Sequence, residues 1–282
     1  MNPFASYCPL LLDADMLYLS GSLTIQGRRV YDTTVGALHC IQPAGTTILA
    51  ALGNGPIAFA ALRHASKNAG VDDTQLSDLL GFLNVTGGLI RRRPVRAHAN
   101  ACKQTVRNLL LGTRYKPLYV RRRATPLSIT KHIIGASWPI ITLSILTAGL
   151  AAAGGVLPAH ECLFICGAWL SIFISSTFLH ELSHYLLLRH NHIPTDVIKH
   201  GFRCGLLHRQ QLPDFEIKTA LLGPAAGSVW CILCAAVSFG LHQPSAIAIC
   251  GIVLLIQALS LVPWYGDGMS LQAARRQKRY DQ

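Results

Sequence analysis

The sequence predicts a multi-domain chain: a small α+β domain, then an all-α membrane domain of about four transmembrane helices. Three observations carry this expectation. The 282 residues are 51% apolar and only 13% charged, whereas a soluble domain usually carries about 25% charged residues. No Lys or Arg occurs from Ile133 to Leu188, nor from Thr219 to Ala274. Residues 1–95, by contrast, mix short β-forming runs with segments punctuated by Gly and Pro. The formal net charge is +12, but its distribution argues against a nucleic-acid partner. The basic residues crowd into 91–131, 189–218 and 275–279, beside the uncharged stretches, as membrane-flanking anchors do.

Taken in order, MLYLSGSLTIQ and RRVYDTTVGALHCI are rich in β-formers and predict short strands. QPAGTTILAALGNG predicts a short helix with Pro43 at its start and Gly53 at its end. PIAFAALRHASKNAG predicts a second helix, stopped by Gly70. DDTQLSDLLGFLNVTGG predicts a third, capped by Asp72 or Asp73 and closed by Gly87 and Gly88. LIRRRPV then reads as a strand. Strands, three short helices and a closing strand describe a winged-helix-like domain over 1–95, large enough for a modest core of its own. The third helix is acidic, which speaks against DNA reading by that element.

Residues 96–131 form a basic juxtamembrane linker, lying along an anionic membrane surface or crossing solvent as a connector. Four apolar segments follow, at roughly 133–157, 163–188, 219–241 and 245–266, each near the ~20 residues a helix needs to cross the hydrocarbon core. They belong to a membrane domain over 132–270, with 271–282 as a basic tail. The loops 158–162 and 242–244 contain no Lys or Arg. Arg121, Arg122, Arg123 and Lys131 precede the first segment, the 189–218 loop carries five basic residues, and the tail carries four. The positive-inside rule therefore predicts a multi-pass protein of the cell membrane with both termini cytoplasmic. The N-terminus lacks a basic region followed by a long apolar core, so no signal peptide is expected. The nine cysteines are scattered; Cys231 and Cys234 form a CxxC without a second pair of ligands and read as helix-packing residues.

The chemistry is concentrated in FLHELSHYLLLRH, residues 178–190. One of only three glutamates in the chain, Glu181, falls between His180 and His184 inside an apolar run. Ionisable groups in a membrane segment are costly and mark function. On a helix, His180 and His184 share a face and can hold one zinc ion, with Glu181 displaced by about 100° and able to take a proton from water. A zinc hydrolase needs a third protein ligand. His190, His192, His200 and His208 are available downstream, as is Asp267, the lone charged residue between 219 and 274. Asp267 sits at the predicted cytoplasmic end of the fourth segment, at a depth similar to that of HELSH. Pro263, Gly266 and Gly268 interrupt the helix there.

HELSH on a membrane helix with a distant P-x-x-x-D-G over 263–268 resembles the site-2 protease family of intramembrane zinc metalloproteases, across about 133–270. The resemblance implies zinc held by His180, His184 and Asp267, with Glu181 as the catalytic base. The family's G-P motif is similar to Gly223-Pro224, and 193–215 lies where the family has a cytosolic β-hairpin region. Where the family usually has Asn in N-x-x-P, this chain has Ser260, which weakens the implied grip on substrate. Residues 28–55 and 72–92 resemble a PqqD-like domain, a family that recognises leader peptides of ribosomally made, modified peptides. That resemblance implies a peptide or protein substrate added as a strand within Val35–Ile41, beside the helix around Leu76–Leu83. The combination is similar to peptide zinc metalloproteases encoded near bacterial peptide-modification genes. It implies a zinc metalloendopeptidase cutting a membrane-associated or leader-bearing chain near the cytoplasmic face. The alternative is a non-hydrolytic membrane receptor or an export or immunity partner for a modified peptide; the intact Glu181 argues against it.

Overall fold

The computed structural model describes Phe4, residues 7–94, Asn100, 119–200, 203–263 and 266–280. Most of the predicted linker, 96–99 and 101–118, lies outside the described residues, as does residue 95. Contacts divide the chain into two units: Met1–Arg122 with Ile198–Gly201, and Arg123–Val197 with Phe202–Gln282.

Among its described residues the first unit contains two small antiparallel sheets and three helices of ten residues or more. Strands β1 (Met16–Leu19), β2 (Leu23–Gln26), β3 (Arg29–Asp32) and β4 (Ala37–Cys40) come from the two predicted β-rich runs. β2, β3 and β4 form a meander in that order, which leaves β4 at an edge among the described strands. Helix α1 (Pro43–Gly53) has Pro43 at its first position, where a missing N–H is harmless. The predicted second helix divides: Ile57–Ala58 forms a short strand, β5, and helix α2 covers Phe59–Asn68. Ile57 pairs with Leu17 and Ala58 with Met16, a long-range registration that helix periodicity does not reveal. Helix α3 (Asp73–Val85) is capped by Asp72 in a reciprocal box, Asp72 Oδ1 accepting from the Gln75 amide at 2.7 Å and Gln75 Oε1 from the Asp72 amide at 3.2 Å. Its C-terminal turn closes through Gly87 at φ +66°. Strand β6 (Leu89–Arg92) pairs along β1 from Leu19↔Leu89 to Met16↔Arg92. The core brings together Leu17, Val30, Leu49, Leu62, Leu83 and Leu89, all essentially inaccessible to solvent.

Arg121, read from sequence as a membrane-flanking charge, is instead fully buried. It lies on strand β7 (Tyr119–Arg123) and grips Asp32 in a two-point pair of 2.6 and 2.8 Å, with a third bond to the Thr86 carbonyl at 3.0 Å. Burial alone would raise the Asp32 carboxyl; the Arg121 guanidinium holds it below its ordinary value. Arg121→Ala leaves a buried carboxylate unpaired and should cost about 3–5 kcal/mol. A chemical-denaturation midpoint for the first unit checks this, and the double change Arg121→Met with Asp32→Leu should cost less.

The second unit is helical. Helices α4 (Pro126–Ala153), α5 (Ala159–His190) and α6 (Pro213–Gly240) are each long and apolar enough to cross a membrane. Their outward positions are strongly apolar, as at Leu146, Leu150, Ile232 and Phe239. The fourth apolar segment gives a shorter helix, α7 (Pro244–Leu259), of 16 residues. At about 1.5 Å per residue it is roughly 24 Å long. It stops at Ser260, seven residues before Asp267, because the chain turns through 261–263 ahead of Pro263. Helix α8 (Gly266–Tyr280) then begins, so most of the predicted tail is helical and carries Asp267 in its first turn. Between α5 and α6 lie two strands, β8 (Thr195–His200) and β9 (Arg203–His208). Bundle packing is built from Ile172, Cys231, Ile249, Cys250 and Val253, so Cys231 packs within the bundle.

Candidate metal centre

His180 and His184 lie one turn apart on α5, with ring centroids 5.0 Å apart. Both are buried, as is Glu181. α8 brings Asp267 to them: His180 Nε2 is 2.9 Å from Asp267 Oδ2, and His184 Nε2 is 3.5 Å from Asp267 Oδ1. One ligand atom from each of the three residues lies within 4.8 Å of the others. Ligand atoms about 2.0–2.1 Å from a tetrahedral zinc would stand roughly 3.3 Å apart, and the two His–Asp spacings of 2.9 and 3.5 Å fall on either side of that value.

The hydrogen bonding points the same way. His180 Nδ1 lies 2.7 Å from Gln257 Oε1, and the Gln257 amide nitrogen donates to Ser176 Oγ at 2.8 Å. With Gln257 accepting, a neutral His180 donates from Nδ1 and turns the bare lone pair of Nε2 toward the Asp267 carboxylate. Two acceptors face each other at 2.9 Å, an arrangement satisfied by a proton or a cation between them. Both ring nitrogens of His184 are buried without a hydrogen-bond partner among the described residues. Burial opposes ionisation of Asp267, yet the two imidazoles beside it hold its carboxyl below the usual carboxylate range. Zinc would be held by His180, His184 and Asp267.

Backbone features make room for this cluster. A Cβ at Gly223 on α6 would strike the imidazoles of both His184 and His180. A Cβ at Gly227, one turn on, would lie 2.6 Å from Gln257 Cδ. Pro224, buried between them, has no N–H to offer the carbonyl of Ala220, a residue that lines the cavity described below. A Cβ at Gly268 would strike the Val262 carbonyl, and the Gly268 amide donates to the Ser260 carbonyl at 3.0 Å, so the start of α8 lies flat on the preceding turn. Gly223→Ala should therefore displace both imidazoles and lower zinc content at least as much as loss of a supporting residue, roughly 10–100-fold in affinity. Zinc titration of the purified variant, with circular dichroism to confirm folding, checks this.

A cavity of about 430 Å³ opens onto the cluster. Its walls include Glu181, Thr177 and Phe173 from α5, Cys204–Leu206 from β9, and Ser260. Glu181 lines the cavity and makes no hydrogen bond with any described residue. Ser260 Oγ donates to the Gln257 carbonyl at 2.7 Å, which leaves only its lone pairs to meet a ligand. Pro263 is exposed in the turn. His208 lines the cavity but turns Nδ1 to the Arg209 carbonyl at 2.9 Å, and His190 and His192 are exposed. The side chain of His200 lies outside the described residues. Gln257 was not singled out from sequence, although it is the lone amide in the fourth apolar segment.

The first unit has a groove of its own. About 490 Å³ lies between the exposed edge of β4 and helix α3, lined by Leu38, His39, Ile41, Leu79 and Phe82, with Asp78 at its side. No protein-family model, curated protein or solved structure matches this chain.

Proposed function

We propose that the chain is a membrane-embedded zinc metalloendopeptidase. The supporting observation is the meeting of His180, His184 and Asp267 with an unpartnered Glu181 on one cavity. In this reading α7 serves as a fourth span, both termini are cytoplasmic, and HELSH lies near the cytoplasmic face of the cell membrane. Zinc bound there would supply Lewis acidity, polarising the scissile carbonyl and acidifying water. Glu181 takes the proton from the attacking water and later delivers it to the leaving amine. The imidazoles are held in one orientation by Gln257 for His180 and by the packing of Gly223 for both. The apolar wall at Phe173 and Leu206 admits an extended peptide and limits water. The test is cleavage of a membrane-inserted peptide by protein reconstituted in vesicles. Loss of cleavage on chelation and recovery on adding zinc is expected; cleavage that persists in the metal-free protein overturns the reading.

The first unit is assigned as a PqqD-like, winged-helix-like recruiter of that substrate. Its open edge strand β4 and the adjoining groove beside α3 suit a peptide added as a strand, backbone pairing giving affinity and side-chain pockets giving choice. Proline has no amide hydrogen for a ladder. Leu38→Pro should therefore weaken binding of a leader peptide at least tenfold while leaving zinc content unchanged. Calorimetry with the isolated peptide measures it; unchanged affinity in a folded variant excludes β4 as the docking edge.

A further inference from the structure

We infer that the outward face of α8 docks on anionic phospholipid headgroups, and that this docking steadies Asp267 in the metal centre. The inference rests on the metal-centre reading above. Helix α8 joins two features along one rigid rod. Its first turn carries Asp267, and about two turns on it carries Arg275 and Arg276. One stripe of the helix packs inward: Leu271 and Ala274 are buried, and Lys278 Nζ reaches Asp214 at the start of α6 at 2.6 Å. At 100° per residue, Asp267, Leu271, Ala274 and Lys278 share this stripe. Met269 and Arg276, a heptad apart, fall on the opposite side, and both are exposed.

Neither Arg275 nor Arg276 makes an ion pair or hydrogen bond with any described residue. Two adjacent guanidiniums with an exposed methionine a heptad away form an interfacial pattern, an apolar foot beside cations that fit phosphodiester oxygens. The unit's own charges orient the face. Lys131 near the start of α4, Arg189 near the end of α5 and Lys218 near the start of α6 are all exposed. Successive antiparallel spans put these three at one end of the bundle, and the connections at the other end, 154–158 and 241–243, contain no Lys or Arg. α8 is tethered at the basic end, where an anionic leaflet surface lies. A headgroup that fixes the C-terminal half of α8 restricts the whole helix, and with it the carboxylate that completes the ligand set.

The test uses the full chain in nanodiscs of phosphatidylcholine alone or with about 30% phosphatidylglycerol. Each basic residue near an anionic surface is worth about fivefold in binding, so zinc should bind several-fold tighter in the anionic discs at fixed pH. Arg275→Gln with Arg276→Gln should remove that difference while retaining the affinity seen in neutral discs. Hydrogen exchange over 266–280, measured on metal-free protein, provides a readout independent of zinc. Anionic lipid should slow it in the native chain and not in the double variant. Equal zinc affinity in both lipids overturns the coupling, and unchanged exchange overturns the docking. Inorganic phosphate that reproduces the effect in neutral discs would assign the site to a free anion and overturn the membrane assignment. Absence of zinc binding in every disc, with exchange slowed as expected, would sink the metal-centre reading and the coupling together while the docking stands.

Discussion

Glu181→Gln is expected to keep zinc and lose peptide hydrolysis. The carboxylate lies on the cavity wall beside the cluster, and it is not one of the three residues whose ligand atoms converge. Glutamine has nearly the same volume and can still accept a hydrogen bond, so packing of the buried turn around His180 and His184 should survive. What it cannot do is take a proton from water. General-base catalysis typically contributes about 10²–10⁴-fold, and the turnover number should fall by that amount. Substrate affinity should change little, since Glu181 makes no bond with the described protein that substrate binding would have to break. Single-turnover kinetics on a membrane-inserted peptide, with metal content measured in parallel, separates the cases. Hydrolysis at the native rate in a zinc-loaded variant removes the base from Glu181. A biological output that survives without hydrolysis supports the receptor alternative.

The helical half of the fold was legible because lipid-facing helices need long apolar runs, and the runs at α4, α5 and α6 are long and interrupted by loops of clear composition. The grouping of His180, His184 and Asp267 was legible for a related reason. Ionisable residues are rare in such runs, so His180, Glu181, His184 and Asp267 stood out against their surroundings. Gln257 did not, because a single uncharged amide is tolerated in a helix and its partner His180 lies 77 residues away. Arg121 was misread for the same kind of reason. It sits in a run of three arginines, and only the fold brings Asp32, 89 residues earlier, beneath it. The strand Ile57–Ala58 is two residues long and defined by pairing with β1, which no local pattern records. Ser260 stands where the resembled family usually has Asn, and the helix end it caps claims its hydroxyl hydrogen for the Gln257 carbonyl.

The other large effect is graded loss of zinc from the ligand set outward. Asp267→Ala should abolish tight binding, because it leaves two imidazoles on one helical turn and removes the charge that offsets a divalent ion. His180→Ala should do the same. Gln257→Ala removes the group that orients His180 without removing a ligand, and such supporting residues typically account for about 10–100-fold in affinity. His208→Ala should change little, since its Nδ1 is turned to the Arg209 carbonyl. Equilibrium zinc competition with a chelating dye, run on the four variants in one detergent, reads the order directly. The order matters more than any single value: a general loss of folding would lower all four together, whereas the proposed geometry separates them. Full zinc occupancy in Asp267→Ala, with occupancy lost in His208→Ala, would move the third ligand to His208. Retention of zinc in Gln257→Ala at native affinity would show that packing of Gly223 alone is enough to fix the His180 ring.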